Sequence, residues 1–191
     1  MAKPKRLEIP DDIIKRVQIK NIKDNIGHDL MGMFCDIFLD KKNVGYYNDD
    51  GYGGGAEIAM EEKDRNAMLE LLESHQWRHR MFTEIGWDFY DSESKIGDDS
   101  VIESLIEHLY EEKQKEKMMK KIAKQSEKEI LYGRWESYTR SAFKGGMTLE
   151  QMVRSYGPAK VQDYIDRTIK TRLQEGDEIL NTNFEELGLR K

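Results

Sequence analysis

"MGMFCDIFLDKKNVGYY", Met31 to Tyr47, decides how this chain is read. Met31, Met33, Cys35, Ile37 and Leu39 alternate with Gly32, Phe34, Asp36 and Phe38, the period-two pattern of a strand with one apolar face. Asp40–Asn43, "DKKN", supplies a turn, and Val44–Tyr47 returns as the second arm of a hairpin. Ala56–Met60, "AEIAM", extends this to a small antiparallel β-meander over residues 29–60, although its strand propensity is poor.

Inside the meander lies Asn48–Gly55, "NDDGYGGG". Gly51–Ala56 formally fits a dinucleotide fingerprint, but that motif needs a parallel strand before it and a helix after it. Here the preceding strand is a hairpin arm. A P-loop fails because no Gly-Lys-Ser/Thr follows. A calcium loop fails because Tyr52 and Ala59 fall where oxygen ligands belong. The remaining reading is a turn at Asp50-Gly51 needing positive φ, followed by a glycine connection that a partner could approach closely.

Outward from the meander, residues 1–28 read as a polar lead-in of mixed helical or extended character. Glu62 to about Arg80 has helical spacing at Met68, Leu71, Leu72 and His75. Ser100 and Glu103 have capping-box spacing and open a long helix with Ile102, Leu105, Ile106 and Leu109 inward. Glu129–Tyr132, "EILY", suits a short strand. Thr148 and Gln151 cap a helix ending at Gly157, and Pro158 suits the first turn of the next. In that helix Val161, Tyr164, Ile165, Ile169 and Leu173 point inward. These elements predict one α+β domain over 1–191: lead-in 1–28, meander 29–60, and a mainly helical remainder over 61–191.

Composition narrows the class. The chain has 191 residues, 38% apolar and 36% charged, with a net charge of −6. Residues 1–28 carry +3, 29–112 carry −14, 113–144 carry +6 and 145–191 carry −1. An acidic first half and a basic centre give a field that steers charged partners. No apolar run is long enough for a spanning helix, and the N-terminus lacks a secretory core. With a single cysteine, these features predict a cytoplasmic protein.

Signals for catalysis are sparse. His75 and His79 lie one helical turn apart, but Gln76 stands where a zinc protease has Glu. His28 and His108 are isolated, and Cys35 falls on the apolar strand face, where a thiol is inert. No catalytic residue, metal or cofactor is assigned, and the protein is expected not to be an enzyme.

Binding is better represented. Lys113, Lys117, Lys120, Lys121, Lys124 and Lys128 lie along a helix, followed by Arg134, Trp135, Tyr138, Arg140, Phe143 and Lys144. Basic residues interleaved with aromatics suit RNA or single-stranded nucleic acid. The competing reading is a solvated helix followed by core-facing aromatics. Trp87, Asp88, Phe89, Tyr90 and Asp91, together with Asp49 and Asp50 in the acidic region, suit a partner protein with a basic surface. Here the competing reading is a tryptophan that plugs the core.

The segments "CDIFLDKKNVGYYNDDGYGGG" and "EGDEILNTNFEELG" resemble small proteins of bacterial viruses and other mobile elements. In those, a "DGKKVG" hairpin precedes an Asn-Asp-Gly-rich loop, and a "GERILNTNLE"-like segment lies near the C-terminus. The likeness covers Asp40–Gly45, Asn48–Gly55 and Gly176–Leu187; Lys41 replaces the first glycine and Asp50 is extra. The resemblance implies an accessory protein that binds and inhibits a host defence factor, such as a CRISPR effector nuclease. The expected function is therefore non-enzymatic binding of that kind, in the manner of an anti-CRISPR protein; the alternative is RNA or single-strand binding through 113–144.

Overall fold

A computed structural model of the chain describes residues 7–26, 31–53, 55–85 and 92–191. It has the expected α+β class, and the chain divides into two compact units, Met1–Glu111 and Glu112–Lys191. The N-terminal unit holds 14 basic and 24 acidic residues, a balance of −10, while the C-terminal unit holds 17 and 13, a balance of +4.

The N-terminal unit is built on a four-stranded antiparallel sheet in the order β1-β2-β3-β4. The strands are β1 (Val17–Ile26), β2 (Met31–Leu39), β3 (Lys42–Asn48) and β4 (Glu57–Met60). The period-two face of β2 is as expected: Met33, Cys35, Ile37 and Leu39 are buried. The opposite face is polar and aromatic, with Lys20 Nζ 4.3 Å from the Phe38 ring centroid and Phe34 stacked on Tyr46 at 5.8 Å. One covered face and one wet face is the ordinary solution for an antiparallel sheet.

Three expectations change here. The lead-in is no appendage: it forms helix α1 (Asp11–Arg16) and the outer strand β1, and it sends Leu7, Ile9, Ile13, Val17 and Ile19 into the core. The helix expected over 62–80 breaks at His75–Gln76 into α2 (Glu62–Ser74) and α3 (Trp77–Glu84), where Gln76 adopts φ 54°. That break turns Trp77 and Met81 inward beside Met68 and Leu72. The long helix α4 (Asp98–Ser126) starts before Ser100, so the Ser100–Glu103 capping box is not used. Asp98 and Asp99 occupy its first turn, paired with Arg78 and Arg65, a placement the positive helix N-terminus favours.

The C-terminal unit carries more strand than expected. It contains a three-stranded sheet, β6-β5-β7, from β5 (Ile130–Arg134), β6 (Ser137–Ser141) and β7 (Glu178–Ile179). Helix α5 (Leu149–Tyr156) opens on the expected Thr148–Gln151 capping box, and α6 (Pro158–Tyr164) has Pro158 in its first turn. A π-helical turn over Ile165–Ile169 follows α6. Val161, Ile165 and Ile169 are buried as expected, but Tyr164 is 38% exposed, on the flank, with its ring 6.4 Å from Phe143.

"ILNTN" closes this unit. The Asn181 side chain is fully buried: Oδ1 accepts from Leu131 N at 2.7 Å, and Nδ2 donates to Ser126 O at 3.2 Å and Glu129 O at 2.8 Å. Asn183 Nδ2 also donates to Ser126 O, and Thr182 N to Ser126 Oγ. The carbonyls left open where α4 ends are thus capped by a segment more than fifty residues later.

Candidate functional site

The basic stretch lies within the C-terminal unit. At about 100° per residue, Lys113, Lys117, Lys120, Lys121 and Lys124 fall in an arc of about 100° on α4. All five are exposed, and Lys128 is exposed in the turn that follows. Ile122 and Ser126, on the opposite side, are buried. Lys120 Nζ is 2.7 Å from Glu116 Oε1, an exposed pair one turn apart. Five of the six lysines expected along one helix lie on α4 and share this arc, while Lys128 falls beyond the helix end at Ser126.

The aromatics behave differently. Trp135 and Tyr138 are half-buried and pack against the small cluster of Ile122, Leu131 and Leu180. Phe143 is half-buried against the larger core of the same unit. Base stacking on open rings is thus not what this face offers. Arg134 Nη2 donates to Glu175 O at 3.0 Å and Nε lies 3.9 Å from Asp177, which directs it toward the loop before β7. Arg140 is 60% exposed and 3.8 Å from Glu129.

Where the lysine arc meets β6, the surface sinks into an open pocket of about 420 Å³. It is lined by Met118, Lys121, Gln125, Glu136, Ser137, Tyr138 and Arg140. Tyr138 Oη donates to Gln125 Oε1 at 2.7 Å, joining strand to helix. The sequence reading missed Gln125, Glu136 and Ser137. The available signal was the polar run "SYTRS", which forms an edge strand in the order β6-β5-β7.

The N-terminal unit has the opposite character. The expected protein-binding residues Trp87, Asp88, Phe89, Tyr90 and Asp91 lie outside the described residues. Asp49 and Asp50 are described, and they answer the question posed by the glycine run. Asp49 N donates to Met33 O at 2.8 Å, and its own carbonyl accepts from Asn25 Nδ2 at 2.7 Å. Asp49 Oδ1 accepts from Gly51 N and Asp50 Oδ1 from Tyr52 N, both at 2.9 Å. Gly51 has φ 74°, the positive value expected of this turn. The run begins as an anchored Asx turn and carries Tyr52, 64% exposed, at its tip.

Beside that turn, carboxylates crowd together. Tyr47 Oη donates to Glu103 Oε1 at 3.3 Å, and Glu103, Glu107 and Glu111 succeed one another by single turns of α4. Burial, then the charges of Glu103, Glu111 and Asp49, push Glu107 up to about 7, although the residue as a whole stays exposed and solvent screens part of that effect. Burial and Asp49 also raise Glu103, against the lowering effect of the Tyr47 hydrogen bond.

His75 caps the end of α2 and His79 lies on α3, with His75 Nε2 3.4 Å from Asp12 and His79 Nδ1 2.6 Å from Glu93. No group of three or more His, Cys, Asp or Glu among the described residues is arranged to hold a metal. His108 Nδ1 meets Ser104 O at 2.6 Å while its Nε2 accepts from Leu7 N at 3.3 Å, so both ring nitrogens are engaged within the fold. Burial pushes the Cys35 thiol up to about 12, so it is not a nucleophile at neutral pH. No helix among the described residues is long and apolar enough to cross a membrane. No family model, curated protein or solved structure matches this chain.

Proposed function

We propose that this is a non-enzymatic binding protein whose C-terminal unit engages the phosphate backbone of RNA or another single-stranded nucleic acid. The observation that carries the reading is the exposed arc of Lys113, Lys117, Lys120, Lys121 and Lys124, set opposite the buried side of α4. Such an arc neutralises successive phosphates and releases their counterions. The half-buried aromatics make backbone contact, not base stacking, the main source of affinity. The test is fluorescence anisotropy with labelled oligonucleotides over a salt series. Affinity should fall with salt with a logarithmic slope of about −2 to −4, as expected for three to five phosphate contacts. Lys120→Glu with Lys124→Glu should abolish binding while leaving the circular dichroism spectrum intact. A wild-type protein that gives no signal at low salt ends this reading.

A second reading rests on the crowded carboxylates Asp49, Glu103, Glu107 and Glu111 and on the −10 balance of the N-terminal unit. Like charges held together at a cost suit docking on a basic protein surface, as in inhibition of a host defence nuclease. Pull-down from bacterial lysate at low salt, repeated with Glu103→Gln and Glu107→Gln, tests it. A protein captured by wild type and lost with the double variant supports it, and the absence of any captured protein ends it.

A further inference from the structure

We infer that the pocket between α4 and β6 is a ribonucleotide subsite, at which one segment of bound RNA leaves the lysine arc and is read through its sugar; this rests on the nucleic-acid reading above. The pocket adjoins the arc because Lys121 belongs to both: it is the last lysine on that edge of the arc and a wall of the pocket. A chain of phosphates running along the arc from Lys113 and Lys117 therefore reaches the pocket at Lys121, and the same lining includes Arg140.

The lining then selects among anionic ligands. Two cations, Lys121 and Arg140, share the pocket with one carboxylate, Glu136. A free phosphate or an acidic side chain uses the two cations but brings no sugar hydroxyl to the pocket. A ribonucleotide brings a phosphate for the cations and a 2′-hydroxyl donor for a carboxylate oxygen. Ser137 and Gln125 add hydroxyl and amide groups able to bond the sugar or base edge, and Met118 with the half-buried Tyr138 ring supplies the short apolar wall. Tyr138 is already positioned by its 2.7 Å bond to Gln125. A volume of about 420 Å³ falls within the range of small-ligand sites and accommodates a single nucleotide.

The experiment measures anisotropy of labelled oligouridine and of oligodeoxythymidine of equal length, using the full chain. The variants are Lys121→Ala, Arg140→Ala, Glu136→Gln and, on the arc away from the pocket, Lys113→Ala. Melting curves first establish that each variant folds, as expected for residues on the surface. RNA should bind several-fold more tightly than DNA. Lys121→Ala and Arg140→Ala should each weaken RNA binding about tenfold and Lys113→Ala about twofold, since a phosphate contact outside a pocket is screened more strongly. Glu136→Gln should narrow the preference for RNA over DNA. If RNA binds but the pocket variants behave like Lys113→Ala, the subsite is wrong and the arc stands. Equal binding of RNA and DNA overturns the ribose assignment, and no binding of either removes the subsite together with the reading beneath it.

Discussion

Asn181→Ala tests whether the "ILNTN" segment is what locks the C-terminal unit. The wild-type amide makes three hydrogen bonds inside the protein, to Leu131 N, Ser126 O and Glu129 O. Removing it does not strand all three groups, because Ser126 O keeps its bond from Asn183 Nδ2 at 3.2 Å. Leu131 N–H loses the acceptor that holds it, and Glu129 O loses a donor. Each buried group left bare costs about 1–3 kcal/mol, so the expected destabilisation for the two is about 2–6 kcal/mol. The assay is urea unfolding analysed by linear extrapolation, alongside hydrogen exchange of the β5 amides. Exchange at Leu131 should accelerate most, because its donor is the group exposed by the change. Asn181→Asp should not rescue: it restores an acceptor for Leu131 but sets a carboxylate against Ser126 O and Glu129 O. A loss below about 0.5 kcal/mol, the range of ordinary surface changes, would falsify the locking role, as would unaltered exchange at Leu131.

Three further outcomes follow from the N-terminal unit. The β2–β3 hairpin turns on Asp40 (φ 49°) and Lys41 (φ 70°), and the left-handed conformation disfavours a residue with a Cβ by about 1–2 kcal/mol. Lys41→Gly should therefore raise stability by about 0.5–1 kcal/mol in thermal or urea unfolding once glycine's extra unfolded-state entropy is set against that gain; a destabilised variant contradicts the turn assignment. Gly32→Ala should cost about 1–3 kcal/mol, the range of other overpacked sites, because a Cβ there would run into the Asp49 carbonyl; a melting temperature equal to wild type refutes the close approach. Glu107 has its folded value raised from 4.5 to about 7, so the folded state holds its proton longer than the unfolded chain. Stability should thus fall as pH rises from about 4.5 to about 7 and then level off, and Glu107→Gln should flatten that fall, as read from urea midpoints across the pH series. An unchanged pH profile in the variant removes Glu107 as the cause.

The sequence by itself determined the local frame. Period-two alternation from Met31 to Leu39 set strand β2 and its buried face, because a one-residue slip would expose every apolar side chain. Thr148, Gln151, Gly157 and Pro158 marked helix ends correctly, since capping acts over a few residues of chain. The lysines from Lys113 to Lys124 were legible as a helical run, whereas Lys128, read with them, falls in the turn beyond α4. Tertiary structure decided what no short window holds. The lead-in became strand β1 because β2 needed a partner for its outer edge, with Val17 opposite Leu39 and Ile19 opposite Ile37. Ser100 lost its cap role because Arg78 and Arg65, distant in sequence, hold Asp98 and Asp99. The pocket by β6 combines residues from 118 to 140 whose proximity depends on how strand and helix pack. Asn181 closes α4 across more than fifty residues, a bond set by the folded path and invisible to local pattern.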